Sequence, residues 1–386
     1  MFPDGFIELL QASTGQADVV AEALQQAPSV SIRLNPSQLT ECPFPDAQKV
    51  AWSPYGYLLK ERPVFTLDPL FHAGCYYVQD TSAMYVGHVF RQVTDRLQPG
   101  CRVLDLCAAP GGKTTDLAAS LRERFGDRYS LLANEVMRNR YSVLRSNVET
   151  WGDSRVDTVS RDPSAFGDEP PFDAILADVP CSGEGMFRKD AQAVAEWSLK
   201  TVEFCAARSR RILADIWPTL VPGGILIYST CTFNHLENDD TVAWIAAELG
   251  ADVLPLPAFP PVVNTQYGQL LLPGLVPGEG QYVAALQKHG DCAPGQCGSA
   301  FPVAKKRADA PGNASPALLS FPPLVNVDRM TALHYLHGDA IVLPADAPTG
   351  PVTIGYEGHP LGPAKNLGKR CNNLYPKNKR IRMDIR

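Results

Sequence analysis

Long apolar runs are missing from this chain. No stretch of its 386 residues approaches the about 18–20 consecutive apolar residues that a membrane-spanning helix needs, so no membrane span is expected. The opening Met1-Phe-Pro-Asp-Gly5 has no basic region followed by an apolar core, so no signal peptide is expected either. Paired metal-ligand cysteines are also missing. The ten cysteines are scattered, and Cys292 and Cys297 have no second Cys/His pair to complete a zinc site, so no metal is expected. Several cysteines sit in apolar, strand-like runs, where a reduced thiol acts as a small hydrophobe; a reducing cytoplasm is expected. An overall positive charge is absent too. The net charge of −6 argues against a nucleic-acid coat over the whole surface. That charge is uneven: residues 365–386 carry eight Lys/Arg against one Asp, a net +7, which leaves −13 for the rest.

What is present is a globular composition, 45% hydrophobic and 20% charged, in a chain long enough for two or three domains. The stretch Val103-Leu-Asp-Leu-Cys-Ala-Ala-Pro-Gly-Gly-Lys-Thr-Thr115 reads as a buried strand, a glycine-rich turn and the opening of a helix at Thr114 or Thr115. Gly111 and Gly112 let a ligand approach the backbone, and the free N–H groups of the helix start face the turn. The turn fits neither G-x-x-x-x-G-K-[ST] nor G-x-G-x-x-G, which disfavours a nucleoside triphosphatase or a dinucleotide oxidoreductase.

From 101 to about 288, strands alternate with helices. Strands are expected at 130–134, 156–160, 172–178 and 224–228, with helices at 137–150, 199–217 and 240–249. Such alternation predicts a parallel, doubly wound sheet whose ligands lie beyond the carboxyl ends of its strands. Those ends carry Asp105 and Cys107, Glu135, Asp162, Asp178 and Cys181, and Cys231. Before this region come two short helices near 6–10 and 17–24, a strand at 29–36, an aromatic and proline-rich stretch at 42–73, and a helix over 78–90. Aromatics beside Lys60, Arg62 and His72 suit base stacking, but packing is the more common use. Residues 255–323 hold twelve prolines. The expected organisation is an N-terminal RNA-binding region (1–75), a catalytic domain (76–290), a linker (291–317) and a small basic α+β module (318–386). In that module a helix at 328–336 and strands at 340–343 and 352–355 are expected.

An acid at the end of a second strand is placed to accept hydrogen bonds from ribose hydroxyls, which suits Glu135; Asp162, one strand on, suits an adenine amino group. With the glycine turn this points to an adenosine ligand without a triphosphate, of the kind S-adenosylmethionine represents. The loops Asp178-Val-Pro-Cys181 and Ser229-Thr-Cys231 place two thiols at neighbouring strand ends. A soft thiolate adding to C6 of a cytosine turns C5 into a nucleophile toward a methyl sulfonium. An acid at N3 would stabilise the adduct. These residues alone leave open which cysteine attacks.

Asp105-Leu-Cys-Ala-Ala-Pro-Gly-Gly-Lys-Thr114, Asp178-Val-Pro-Cys-Ser-Gly183 and Tyr228-Ser-Thr-Cys-Thr232 closely resemble the three signatures of RNA (cytosine-5)-methyltransferases, as does the lead-in Phe71 to Met84. The resemblance covers roughly residues 30–290. It implies a Rossmann-like S-adenosylmethionine-dependent methyltransferase sheet, with a small N-terminal α+β region and a C-terminal α+β, PUA-like RNA-binding module. It further implies that Cys231 attacks C6, that Cys181 assists breakdown of the adduct, and that Asp178 contacts the cytosine near the methyl donor. Cys107, Ala108, Ala109, Pro110, Gly111, Gly112 and Lys113 would cradle the cofactor, with Glu135 on its ribose and Asp162 near its adenine. Lys113 would position substrate or loop. The segment Pro360 to Lys379 looks like the RNA-binding appendage of the branch that modifies 16S RNA. Ribosomal RNA or the small ribosomal subunit is the expected partner, and a monomer is expected. The same chemistry on transfer RNA, or a non-catalytic RNA-binding assembly factor, are the alternatives.

Overall fold

A computed structural model of the chain describes residues 2–290 and 322–385. The expected linker, 291–317, lies outside the described residues, as do Cys292 and Cys297. Helices α1 (Phe6–Thr14) and α2 (Ala17–Ala23) come first and bury Phe6, Leu10 and Val20. A four-stranded antiparallel sheet follows, built from β1 (Val30–Leu34), β2 (Gln48–Lys49), β3 (Gly56–Leu59) and, after the short helix α3 (Pro69–His72), β4 (Tyr76–Val78). Its order is β2-β3-β1-β4. The next helix, α4 (Thr81–Val93), starts at Thr81, where Asp80 caps it by accepting from Ser82 N–H, while Tyr76–Val78 ahead of it pairs with β1.

The central layer runs β5 (Cys101–Asp105), α5 (Gly112–Phe125), β6 (Tyr129–Asn134), α6 (Arg138–Trp151), β7 (Val156–Val159) and β8 (Phe172–Asp178). It continues through α7 (Ala191–Glu196), α8 (Leu199–Ile216), β9 (Leu220–Thr230), α9 (Asp239–Trp244), β10 (Ala251–Val253), β11 (Val263–Asn264), β12 (Gln269–Leu271) and β13 (Gln281–Lys288). The strand order is β11-β12-β13-β9-β8-β5-β6-β7, with β10 also on β13. β5 to β9 are mutually parallel, whereas β13 runs antiparallel to both β9 and β12, so the sheet is mixed rather than all parallel. Alternate residues feed two cores: Leu104, Ile175 and Leu226 face one side, and Val103, Leu176 and Ile227 the other. Burial of both faces is why these strands read as unbroken apolar runs. Order reverses between β5 and β8, which opens a crevice at their carboxyl ends.

The last unit holds β14 (Leu324–Asn326), α10 (Arg329–His337), β15 (Gly350–Tyr356), β16 (His359–Asn366) and β17 (Cys371–Asn373). The strand expected at 340–343 is only a single bridge, Ile341 to Cys371. β16 was not expected because it contains Pro360 and Pro363. β17 covers only Ala364–Asn366, so both prolines fall where the outer edge of β16 needs no donor. One apolar core joins this unit to the N-terminal sheet, with Ile32, Leu34 and Cys75 packed in the same cluster as Leu333, Ile354 and Tyr375. Trp52 and Phe65 are buried as well, so these aromatics serve packing. Among the described residues no helix is long and apolar enough to cross a membrane, and no cluster of His, Cys, Asp or Glu has the makings of a metal site.

Candidate active site

The glycine loop between β5 and α5 is held from beneath. Helix α5 begins at Gly112, two residues before the expected start, because Gly111 takes the left-handed conformation (φ 110°) and caps it. A side chain at Gly111 would press on Leu144. The loop's carbonyls are taken by protein donors: Arg140 donates to Ala109 O (2.8 Å), Asn147 to Pro110 O (2.8 Å) and Arg33 to Gly112 O (3.1 Å). Thr114 Oγ donates to Asp105 Oδ2 at 2.6 Å. Burial, with Asp178 and Glu135 nearby, pushes the fully enclosed Asp105 carboxyl up to about 7.

Beside the loop, Glu135 follows β6. Its Oε1 accepts from Met137 N–H at 2.9 Å, while Oε2 is buried with no hydrogen-bond partner, 3.3 Å from Arg140. Arg140 balances the charge of that oxygen, and its open acceptor position suits a hydroxyl-bearing ligand. Asp162 is exposed, and its Oδ1 accepts from the N–H (3.1 Å) and hydroxyl (2.8 Å) of Ser164, which hold its pKa below the usual range. Cys107 stays a thiol: burial first, then Asp105, Asp178 and Glu135, push its pKa well up.

On the other side of the crevice Asp178 and Ser229 are register partners at the ends of β8 and β9. The loops beyond bring Cys181 and Cys231 together with their sulfurs 3.3 Å apart. The Cys181 thiol is pushed well up, first by its hydrogen bond to Cys231 and then by burial, so Cys181 holds its proton. Lys113 Nζ donates to Asp178 Oδ2 at 2.9 Å, and Asp178 Oδ1 accepts from Ser229 Oγ (2.5 Å) and Gln281 Nε2 (3.2 Å). Burial works against the Lys113 ammonium, but Asp178 and Cys231 outweigh it, so its pKa lies above the ordinary value.

Beneath the cysteines lies a buried polar cluster. Glu237 accepts from Ser182 N–H (2.9 Å) and Ser182 Oγ (2.5 Å), and Asn234 Nδ2 bridges Glu237 and Glu184 at 2.9 Å each. Glu184 also accepts from Phe233 N–H (2.6 Å) and from Trp197. Burial, with hydrogen bonds opposing it and Glu184 adding to it, raises Glu237 to about 7. Gly185 N–H donates to Cys231 O at 2.8 Å, and a Cβ there would stand 2.9 Å from that same oxygen. The cluster thus fixes both thiol-bearing loops.

The fold therefore brings Lys113, Asp178, Cys181 and Cys231 together, with Asp105, Cys107 and Glu135 close enough to Asp178 to act on one another's charge, whereas Asp162 is exposed and bonded only to Ser164 among the groups described. Sequence reasoning missed Ser229, Gln281, Asn234, Glu237, Arg140 and Arg33. The one local signal was polar side chains, Ser182 and Asn234, flanking each cysteine loop.

The family described as 16S rRNA methyltransferase RsmB/F matches residues 93–287. The RsmF-type N-terminal domain matches residues 2–81, and the methyltransferase RsmF PUA domain matches 322–381. "Ribosomal RNA small subunit methyltransferase F" of Salmonella paratyphi A is 36% identical over 78% of this chain and 67% of its own length. The protein of that name from Cronobacter sakazakii is 34% identical over 76% of this chain and 64% of its own length. This chain thus spans about two thirds of such relatives. A methyltransferase homologue from Pyrococcus horikoshii superposes with a TM-score of 0.61 at 27% identity, covering 73% of this chain and 93% of that one. The NSun6 structure from P. horikoshii with SFG shares the fold, with a TM-score of 0.62 at 18% identity over 75% of this chain and 99% of that one.

Proposed function

Because this chain belongs to the 16S rRNA methyltransferase RsmB/F family, whose cofactor is S-adenosylmethionine, we propose that it methylates C5 of a cytidine in ribosomal RNA, with 16S RNA the candidate, through a covalent bond from Cys231 to C6. The observation that carries this reading is the pair of sulfurs 3.3 Å apart beside the Lys113–Asp178 ion pair.

The residues present suit the cofactor: Glu135 offers ribose hydroxyls a buried oxygen that accepts no hydrogen bond, and the loop offers backbone N–H groups at Gly111, Gly112 and Lys113. Asp162, exposed after β7, is the candidate partner of the adenine amino group. When bound, the cofactor supplies an electrophilic methyl group on a sulfonium.

The target base must leave its stack to reach the crevice. Cys181 keeps its proton and donates it to the Cys231 sulfur as a hydrogen bond, which leaves Cys231 as the nucleophile. Cys231 Sγ bonds to C6, the C5–C6 pair moves toward C5 and N3, and the proton that the Cys231 thiol gives up is shared between N3 and Asp178. Lys113 holds the Asp178 side chain in place. C5 takes the methyl group. The hydrogen bond that raised the Cys181 pKa ends once Cys231 is a thioether, so Cys181 becomes able to give its proton to solvent water and then accept the one on C5. Loss of that proton restores the C5–C6 double bond and expels the Cys231 thiolate.

The test is transfer of labelled methyl to ribosomal RNA from a strain lacking the gene, followed by mapping of C5-methylcytidine. Label in C5-methylcytidine of 16S RNA is expected; label on another atom, or none, defeats the reading.

A further inference from the structure

A cleft of about 350 Å³ lies away from the cysteine pair, between the N-terminal sheet, α6 and the carboxyl-terminal tail. Its walls include Phe71 and Tyr77 from the N-terminal side, Asn147 and Thr150 from α6, and Asn378 and Lys379 from the tail. We propose that this cleft binds an unstacked nucleoside of the RNA substrate, distinct from the target base; the inference rests on the RNA reading above.

Three observations support it. The volume falls at the lower end of the range for small-ligand sites, about 300–1,000 Å³, so it admits a single nucleoside and not a duplex. The walls mix aromatic rings with amide and hydroxyl groups, the combination that stacks a splayed base and bonds its edge. The charge suits RNA: Lys379 belongs to the basic run 365–386, and its one ion pair, to Glu149 at 3.5 Å, involves a carboxylate that is 41% exposed. Such a pair is weak, so the ammonium is able to turn to a phosphate.

The cleft also touches the glycine loop. Tyr77 Oη donates to Pro110 O at 3.2 Å, and Asn147 Nδ2 donates to the same oxygen at 2.8 Å and to Tyr77 Oη at 3.3 Å. Both Asn147 bonds use the amide nitrogen, which leaves its oxygen as an acceptor for a base. An occupant that bonds Asn147 or stacks on Tyr77 therefore bears on the cofactor loop. By linkage, RNA in the cleft and cofactor in the loop change each other's affinity by the same factor.

The test uses the full chain and small-subunit ribosomal RNA, transcribed with 4-thiouridine, in a photo-crosslinking experiment with the attached peptides sequenced. Cross-links to the segments around Tyr77, Thr150 and Asn378 are expected; cross-links confined to other segments overturn the proposal. Two variants fill the cleft from opposite walls, Thr150→Trp from α6 and Asn378→Trp from the exposed tail, where folding is not at risk. Each should raise KM for RNA by roughly tenfold or more, the scale of one lost stacked base, with kcat and RNA-free cofactor affinity unchanged. Unchanged KM in Asn378→Trp refutes the site. If wild-type protein methylates no RNA, the proposed function fails instead, and the cross-link map still decides the cleft.

Discussion

Arg33 and Asp116, carried by β1 and α5, face each other 3.9 Å apart, and neither side chain is open to solvent. Arg33 also donates to Gln79 Oε1 (2.7 Å), Gly112 O (3.1 Å) and Thr115 Oγ (2.5 Å), and its guanidinium lies 4.7 Å from the Trp151 ring centre. One side chain thereby joins the N-terminal sheet to the floor of the glycine loop.

Arg33→Met should be costly on two counts. It leaves the Asp116 charge with Arg91 alone, at 3.1 Å, and removes one of the donors to the Gly112 carbonyl, Thr115 Oγ remaining at 3.0 Å. Breaking a buried pair costs about 3–5 kcal/mol, and the remaining Arg91 sets this case near the lower figure. Denaturant midpoints give the loss. Adding Asp116→Asn should recover part of it, and no recovery would mean that the ion pair contributes little.

The cysteine pair predicts two opposite failures. Cys231→Ala should abolish methyl transfer and form no adduct. Cys181→Ala should still form the thioether but release it slowly, accumulating a protein–RNA species that survives a denaturing gel. A slow band from Cys231→Ala, or none from Cys181→Ala, reverses or removes the assigned roles.

Asp178→Asn and Lys113→Met separate the two halves of their ion pair. Asp178→Asn removes the acid at N3 and should lower kcat by about 10²–10⁴, the usual worth of a positioned acid. Lys113→Met frees Asp178 Oδ2 but leaves Ser229 and Gln281 on Oδ1, so a smaller loss is expected. Single-turnover rates with saturating RNA and cofactor measure both.

Glu237 should leave a mark on stability against pH. Its folded pKa is raised to about 7 from 4.5, so the folded state binds more protons than the unfolded chain between those values. Its contribution is therefore present below about 4.5 and is lost as pH rises through about 7. Wild type minus Glu237→Gln, compared by denaturant titration across that window, should show stability falling with pH; a flat difference means that Glu237 is ionised throughout. Other carboxyls with lowered pKa, such as Asp153, cancel in that difference.

The strand carrying Asp178 was legible because β8 is buried on both faces and reads as one apolar run ending in an acid. The two cysteines were legible as residues at strand ends, although their 3.3 Å approach depends on β8 and β9 being neighbours. Ser229 and Gln281 were not, since Gln281 reaches Asp178 from an antiparallel strand about a hundred residues further along the chain. Glu184 and Glu237 were hidden for another reason: glutamate is rarely buried, so both read as surface charge until Asn234 and Ser182 are seen to enclose them. The aromatic stretch near residue 52 offered two uses, and Trp52 resolves to packing because its Nε1 donates to Thr81 O at 2.7 Å.

The core shared by the first sheet and the last unit also sets an order of assembly during translation. Tyr375 packs in the same cluster as Cys75, three hundred residues earlier. At roughly 5–20 residues per second, the nascent sheet waits about 15–60 s for its cover. During that interval the apolar face of the sheet stays uncovered, and protease protection of ribosome-bound nascent chains should rise over residues 30–78 only after Tyr375 has emerged.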